Sequence, residues 1–504
     1  MGSSLLPYWT SESDLGPGQE VPLFRALRPY WSLPERPTMG KMAPHYDRLS
    51  TQDINNLWAD ATDSPMHIIA VLQLEPGPLV GDRGQLKLDE IRGRIVTRLD
   101  RAPRLRQVVR IGSVLTGPPV WVDEAGFDLH RHLRIASIHA PGGETELLEV
   151  VAWIDQQRLD RSHAPWEIWL LTGSSNGRVA LVVKLHHVMA DGLAAVQLMG
   201  SLFDFNTDGG GEDTAVRPWQ PATAPGRWDL IRDNGATKVR QLGRALAGLS
   251  RPVAVWRTMV TTAGTLRSAV AQATGAPRSS INQPIGARRR LGVVRIPLDA
   301  AKAVAHAHGG KVNDLVLALV AGGLRALLLK RGEPTDGLEL LASVPVSLRH
   351  DSRMGNEVGA IIVPLAIDVT AADARLDAVV RATATAKRLQ SAATGALVWS
   401  LLARTGLMRM LSRRQRFVNL FVTNVAGPPM PVAVLQARLL DVIPVTPIAG
   451  DCTLSFAALS YNGCLAITAV AHADRVPDLD TVIQGMQSGW VALDNELPLA
   501  VAAS

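Results

Sequence analysis

Along this chain apolar positions recur in two periods, and the switches between them mark its elements. A helix begins where Ser50 or Thr51 can cap a run through Ile54, Leu57 and Trp58. A strand follows from Ile68 to Leu74, then a helix from Leu88 to about Asp100 and a strand from Leu105 to Ile111. Glu144 to Gln157 has helical spacing, Glu167 to Leu171 reads as a strand, and Arg178 to Lys184 is an apolar, β-branched strand. A helical pattern, Leu193 to Met199, comes next.

The alternation of strands and helices then repeats. A strand is expected from Gly292 to Pro297, and a long helix opens at Val312-Asn313-Asp314 with Asn313 or Asp314 as its cap. Strands at Leu340–Ser347 and Gly359–Ile367 precede a helix from Ala372 to about Leu402. Strands at Phe417–Thr423, Leu454–Tyr461 and Leu465–Val470 complete the pattern. The fold class is therefore mixed α/β in two similar halves with a cleft between them. The boundaries are an N-terminal extension (1–44), a first domain (45–205), a linker (206–288) and a second domain (289–495).

The linker changes the picture through its charge. The whole chain carries a net charge of +6, yet the stretch from Asn234 to Leu298 holds eleven lysines and arginines and no acid, so the rest is net negative. Within it Val239, Leu242, Leu246, Leu249, Val253 and Trp256 recur every three or four residues. Two readings stand: the stripe packs on the body, or segment 234–290 lies as a basic amphipathic helix on an anionic lipid surface. Nucleic acid is not expected, because aromatics are few and no recognition module is present.

Composition narrows the class further. Apolar residues make up 47% of the chain, too many for general disorder. No run reaches the roughly 20 uninterrupted apolar residues of a membrane span; the nearest, Val312 to Leu329, contains Asn313, Asp314 and Arg325. No secretory signal is visible, which points to a cytoplasmic protein. The two cysteines, Cys452 and Cys464, flank an Asn462-Gly463 hairpin turn in a register that does not pair them, and they form no zinc site.

Candidate chemistry gathers where the apolar strand gives way to the helical pattern, at Leu185-His186-His187-Val188-Met189-Ala190-Asp191-Gly192. Strand-to-helix loops commonly carry exposed catalytic groups, although a strand-end histidine pair satisfied by backbone, with Asp191 as a cap, is the plainer reading. Adjacent histidines on an extended chain point to opposite faces, which disfavours metal binding. Walker-type phosphate loops are absent, and the one Gly-x-Ser-x-Gly, Gly173–Gly177, joins two strands and so is no nucleophile elbow. A single base suffices to move an activated acyl group onto a hydroxyl or amine. Asp191 is close enough in sequence to orient the loop, and it could equally brace an arginine such as Arg349.

The motif His186-His187-x-x-x-Asp191-Gly192 resembles that of the coenzyme A-dependent acyltransferase superfamily, which includes chloramphenicol acetyltransferase and peptide-synthetase condensation domains. Arg48-Leu49-Ser50, Pro65-Met66-His67, Leu159-Asp160-Arg161, Val312-Asn313-Asp314, Pro345–Arg349, Gly355-Asn356, Asn424–Pro428 and Ser460-Tyr461 resemble one branch. That branch is the actinobacterial-type wax ester synthase/diacylglycerol acyltransferase family, and the landmarks run in family order over roughly 46–490.

The resemblance implies two chloramphenicol-acetyltransferase-like mixed-sheet domains around a channel, joined by a partly helical linker. It implies His187 as general base, with His186, Asp191 and Gly192 shaping its loop and Asn313 and Asp314 as a second motif. Thr423 and Asn424 are further candidates for polar lining or oxyanion contact, alongside their roles as strand-end residues. The implied reaction carries a fatty acyl group from acyl-coenzyme A, a substrate and not a resident cofactor, to diacylglycerol. A long-chain alcohol is the alternative acceptor, and a non-catalytic lipid-body protein of the same fold the alternative class. The expected location is peripheral, on the inner face of the plasma membrane or on lipid bodies. One departure stands out: the family's Pro-Leu-Trp-Glu stretch is here Ala164-Pro165-Trp166-Glu167, which bears on acceptor preference.

Overall fold

The computed structural model describes residues 46–189, 198, 200, 219–249, 276–347, 358–392 and 417–495. The first half contains β1 (Asp47–Arg48), α1 (Thr51–Ala59), β2 (His67–Leu74), α2 (Leu88–Arg98), β3 (Gln107–Arg110), β4 (Val120–Asp123) and β5 (Leu133–Ser137). It continues with α3 (Glu144–Gln156), β6 (Trp166–Thr172) and β7 (Val179–His186), and α4 (Arg227–Leu249) follows in the linker. The second half holds β8 (Arg289–Pro297), α5 (Leu298–Ala307), α6 (Val312–Lys330), β9 (Glu339–Ser347), β10 (Val358–Ala366) and α7 (Ala372–Ala392). It ends with β11 (Leu420–Ala426), β12 (Ala433–Val434), β13 (Ala437–Val445), β14 (Leu454–Tyr461), β15 (Cys464–His472) and α8 (Leu479–Asn495).

Most predicted elements are present within a few residues of their expected ends. The cap of α1 is Ser50, whose side chain accepts from Asp53 N–H while Asp53 accepts from the Ser50 backbone. The expectation for α6 needs correction. Its cap is Lys311, and Asp314 sits at the third helical position, where its carboxylate accepts the Lys311 N–H. A cap must have non-helical backbone, and Asn313 and Asp314 are already inside the helix. Seven elements escaped the sequence reading: β1, β4, β5, β12, β13, α5 and α8. The Gly173–Gly177 stretch is the β6–β7 hairpin loop, as expected.

Two six-stranded mixed sheets carry the chain. The second has the order β10-β9-β11-β14-β15-β8, with β11 parallel to both neighbours. The first has the order β12-β13-β2-β7-β6-β5, with β5 and β6 parallel. Strands β12 and β13 come from late in the chain but complete the first sheet, β13 pairing antiparallel with β2. A core of Ile69, Val71, Val151 and Ile154 from the first half merges with Leu291, Val293, Ile443, Val445 and Val470 from later segments. Arg295 on β8 adds ion pairs to Glu144 at 2.8 Å and Asp441 at 2.8 Å. The halves are interlocked.

Helix α6 is long and apolar enough to cross a membrane, yet 72% of its most apolar window is buried inside the protein. Its Gly323 lies so close to α8 that an added Cβ would come within 2.6 Å of the Val482 carbonyl oxygen. Only glycine permits that approach.

The Tyr461 hydroxyl fastens the interlock, donating to Leu439 O (2.9 Å) within β13 and accepting from Val432 N (3.0 Å) just before β12, the strands lent to the first sheet. Tyr461→Phe leaves those two buried backbone groups unsatisfied, a loss of about 1–3 kcal/mol. The expected result is a lower urea midpoint with the fold otherwise intact by circular dichroism. A midpoint equal to that of the wild type would remove this hydroxyl from the interlock.

Candidate active site

The site begins with β7, one of the two central strands of the first sheet, flanked by β2 and β6. All eight of its residues are buried. Alternation sends Val179, Leu181, Val183 and Leu185 into a core with Ile91, Ile95 and Leu99. The opposite face carries Lys184 and His186, polar groups in a place otherwise reserved for apolar ones.

Each polar group on that face has a local reason to be there. Lys184 donates through Nζ to the carbonyls of Ile154 (2.7 Å) and Gln157, closing the C-terminal end of α3. Burial pulls its ammonium down to about 8. His67 lies directly across from His186 on β2 and meets it edge to face at 6.3 Å. Burial, with Lys184 and His186 nearby, pushes His67 well below the ordinary histidine value, so it stays neutral. Asp155 is raised by burial, against the pull of Arg289 and Lys184.

The strand stops at His186 because its own side chain turns the chain. His186 Nδ1 accepts the N–H of Val188 at 3.0 Å, and the Met189 N–H returns to the His186 carbonyl at 2.9 Å. An accepting Nδ1 means the proton is on Nε2. That atom faces Asp60 Oδ2 at 3.7 Å. His187 is thereby set just beyond the strand, half-buried, its N–H held by the Met66 carbonyl at 2.8 Å. The two histidines are separated in role: His186 builds the turn and His187 is presented by it.

Helix α1 supplies what the sequence reading missed. Asp53, Asn56 and Asp60 fall at spacings of three and four along it, one polar stripe facing the histidines. Asn56 Nδ2 lies 3.0 Å from His187 Nδ1 and 3.2 Å from the His187 carbonyl oxygen. Asp60 accepts from the Met66 N–H at 3.0 Å, from Arg158 at 2.9 Å and from Arg161. Burial alone would raise the Asp60 carboxyl, but His186, the Met66 N–H and Arg158 overcome it and hold the group well below the usual carboxylate range. The only sequence signal was this stripe near the end of a short helix, which reads equally as a solvated face.

The remaining candidates fall elsewhere or outside view. Asp191, Gly192 and Arg349 lie outside the described residues, so no brace between Asp191 and Arg349 is described. Asn313 and Asp314 lie in the first turn of α6, where Asp314 serves the helix start. Thr423 and Asn424 are half-buried on β11, opposite Ala457 and Ala458 of β14. In the altered stretch, Trp166 is buried against His132 with rings 4.4 Å apart, and its indole donates to Leu105 O. Pro165 offers its carbonyl to the His186 N–H at 2.9 Å.

Two interlocked mixed sheets, with a histidine presented just past the end of a buried inner strand, form a fold shared with solved acyltransferases and condensation domains. The solved wax ester synthase/diacylglycerol acyltransferase of Marinobacter aquaeolei has a similar fold (TM-score 0.63, 24% identity, covering 89% of this chain and 98% of that one). So does the starter condensation domain of rhizomide synthetase, solved with C8-CoA (TM-score 0.55, 13% identity, covering 89% and 94%). Residues 49–316 match the wax ester synthase/diacylglycerol acyltransferase catalytic domain, and residues 354–493 match the C-terminal domain of the same proteins. A probable diacylglycerol O-acyltransferase of Mycobacterium tuberculosis, tgs1, is 30% identical over 460 residues, 89% of this chain and 96% of that one. A second putative diacylglycerol O-acyltransferase of that organism is 28% identical over 468 residues, 90% and 97% of the two chains. The chain belongs to the wax ester synthase/diacylglycerol acyltransferase family and is an acyltransferase.

The Asp60 carboxylate has a consequence for acid stability. Its folded value is depressed, so its stabilisation is complete above the unfolded value near 4 and declines as pH falls below that toward the folded value. Asp60→Asn should remove that acid dependence and lower stability at neutral pH by about 2–3 kcal/mol, the scale of hydrogen bonds to a charged group. Urea midpoints for both proteins between pH 3 and pH 7 check this; parallel curves would exclude Asp60 as the source.

Proposed function

We propose that this chain moves a long-chain fatty acyl group from acyl-coenzyme A to the free hydroxyl of diacylglycerol, making triacylglycerol, with His187 as general base. The observation that carries the base assignment is the double hold on His187: its backbone on Met66 and its ring and carbonyl on Asn56. The diacylglycerol acceptor is supported by the names of the mycobacterial relatives, which match along most of both chains.

The chemistry follows from magnitudes. An imidazole with an ordinary value near 6.5 cannot generate free alkoxide, so it takes the hydroxyl proton as the oxygen attacks the thioester carbonyl. The same proton then goes to the departing thiolate. Thr423 and Asn424 remain candidates for receiving the negative charge on the tetrahedral oxygen, and Asp191 and Gly192 for shaping the loop.

His187→Ala should lower transfer by about 10²–10⁴-fold, the usual contribution of a general base. The assay is labelled acyl transfer with purified protein, offered diacylglycerol and hexadecanol separately. Wild-type rates in the variant would end the base assignment, and faster transfer to hexadecanol would make the protein a wax ester synthase.

The same reading sets the enzyme on the cytoplasmic side, at a membrane or lipid-body surface, and α4 supports it. The helix docks through the side that carries Leu230, Asp233 and Asn234: Leu230 is buried against Val120 and Val122, Asp233 pairs with Arg48 at 2.8 Å and Asn234 donates to Leu115 O at 2.9 Å. The opposite face looks out and is apolar too, with Trp228 75% and Val239 70% exposed on it. Packing of the stripe against the body, one of the two initial readings, therefore fails at Val239. In the sequence the three- and four-residue apolar spacing runs on through Leu242 and Leu246, with Arg232, Lys238 and Arg240 interspersed. Exposed Val114 and Leu115 border the docking side. Apolar side chains ringed by cations fit an anionic bilayer surface. Trp228→Glu with Val239→Glu should reduce flotation with vesicles containing phosphatidylglycerol by about tenfold, with the fold intact by circular dichroism. Undiminished flotation would remove α4 as the anchor.

A further inference from the structure

The contact between Asn56 and His187 determines more than position. One atom, Asn56 Nδ2, faces two acceptors of the same residue, Nδ1 at 3.0 Å and the carbonyl oxygen at 3.2 Å. An amide NH2 has a proton for each. With the amide reversed, two carbonyl oxygens would sit at hydrogen-bond distance with no proton between them. The amide therefore donates, Nδ1 accepts, and a neutral His187 ring carries its proton on Nε2.

That is the wrong tautomer for a general base acting through Nε2. Since Nδ1 is taken by Asn56, Nε2 is the nitrogen that must receive the hydroxyl proton, and it needs a lone pair to do so. The lone pair appears there only when the proton moves to Nδ1, and an Nδ1–H needs an acceptor in front of it. A half-turn of the Asn56 amide brings Oδ1 to that place, at the cost of setting it against the His187 carbonyl oxygen, so the resting protein keeps the donating orientation and the accepting one is the minor form.

We propose that Asn56 is a positioning residue that sets the tautomer of His187, donating to hold the ring inactive at rest and accepting to support the active Nδ1–H form. In the active form the acceptor hydroxyl's proton passes to Nε2 as the C–O bond forms, giving an imidazolium whose Nδ1–H stays on Asn56 Oδ1. The Nε2 proton then goes to the sulfur as the C–S bond breaks. At rest, Nε2–H cannot deprotonate water, so the thioester is protected from hydrolysis.

Asn56 is well held for such a role. It is 7% exposed, and α1 is fixed at its start by the Ser50–Asp53 capping box and at its end by the Asp60 cluster. The described titratable groups around the ring are Asp53, whose charge is felt between it and His187, and the His186–Asp60 pair behind β7.

The inference rests on His187 as the base, and the test separates the two. Ring-nitrogen NMR of histidine-labelled protein reads the tautomer directly, with His187→Ala identifying the signal. Wild type should show Nε2–H. Asn56→Asp, which can only accept when ionised, should show Nδ1–H, raise the acid limb of the kcat profile, and increase acyl-coenzyme A hydrolysis without acceptor about tenfold. Asn56→Leu, which can do neither, should lower kcat for transfer by about ten- to a hundredfold with KM unchanged. A wild-type Nδ1–H signal, or variants with unchanged tautomer and unchanged hydrolysis-to-transfer ratio, would overturn the proposal. Transfer surviving in His187→Ala would instead defeat the base assignment and leave the NMR result to stand or fall alone.

Discussion

The site depends on one buried negative charge. Asp60 sits at the end of α1, 9% exposed, and binds groups from three separate segments: the Met66 N–H ahead of β2, Arg158 and Arg161 after α3, and the His186 edge at the end of β7. A carboxylate this buried is costly unless its lone pairs are occupied. Here they are, so the three segments are drawn to one point, and that point lies directly behind the turn that presents His187. On the proposed reading, His187 is the polar group on that side that does the chemistry. The rest hold it.

The large elements were legible because their signals are local. Ser50 or Thr51 ahead of Ile54, Leu57 and Trp58 announces a helix start, and the apolar run before His186 announces a buried strand; both elements stand where the pattern puts them, with Ser50 as the cap. Lys184 also fell within that run, although nothing in the sequence shows that an ammonium there would find two helix carbonyls. The expected cap of α6 falls two or three residues too late because Asp314 has a good capping side chain, which the structure uses from inside the helix. Strand β13 was missed for a different reason: Ala437 to Val445 is interrupted by Pro444 and by a bulge between Leu439 and Asp441, which blur a two-residue period.

The histidine motif was visible at once, but its partners were not. Asn56 and Asp60 stand more than 120 residues before His186, and nothing in their spacing says which way α1 faces. Pairing of β2 with β7 decides it, by bringing His67 and Met66 beside His186 and His187. Long-range pairing is the information a single sequence carries least clearly. The linker helix makes the same point from the other direction: its apolar stripe was readable, but its outward orientation depends on Arg48 and Leu115 far upstream.

Strand β13 also carries a consequence for how the chain comes into being. On a ribosome, β2 emerges some 370 residues before the strand that will cover its edge. Until then that edge of the first sheet offers open backbone N–H and C=O groups to any neighbouring chain. The first half therefore cannot reach its final form as an independent early product; its last strand arrives only after most of the second half has been made. The two halves are a single cooperative unit by order of synthesis, and a nascent chain of this protein needs shielding along β2 for most of its translation.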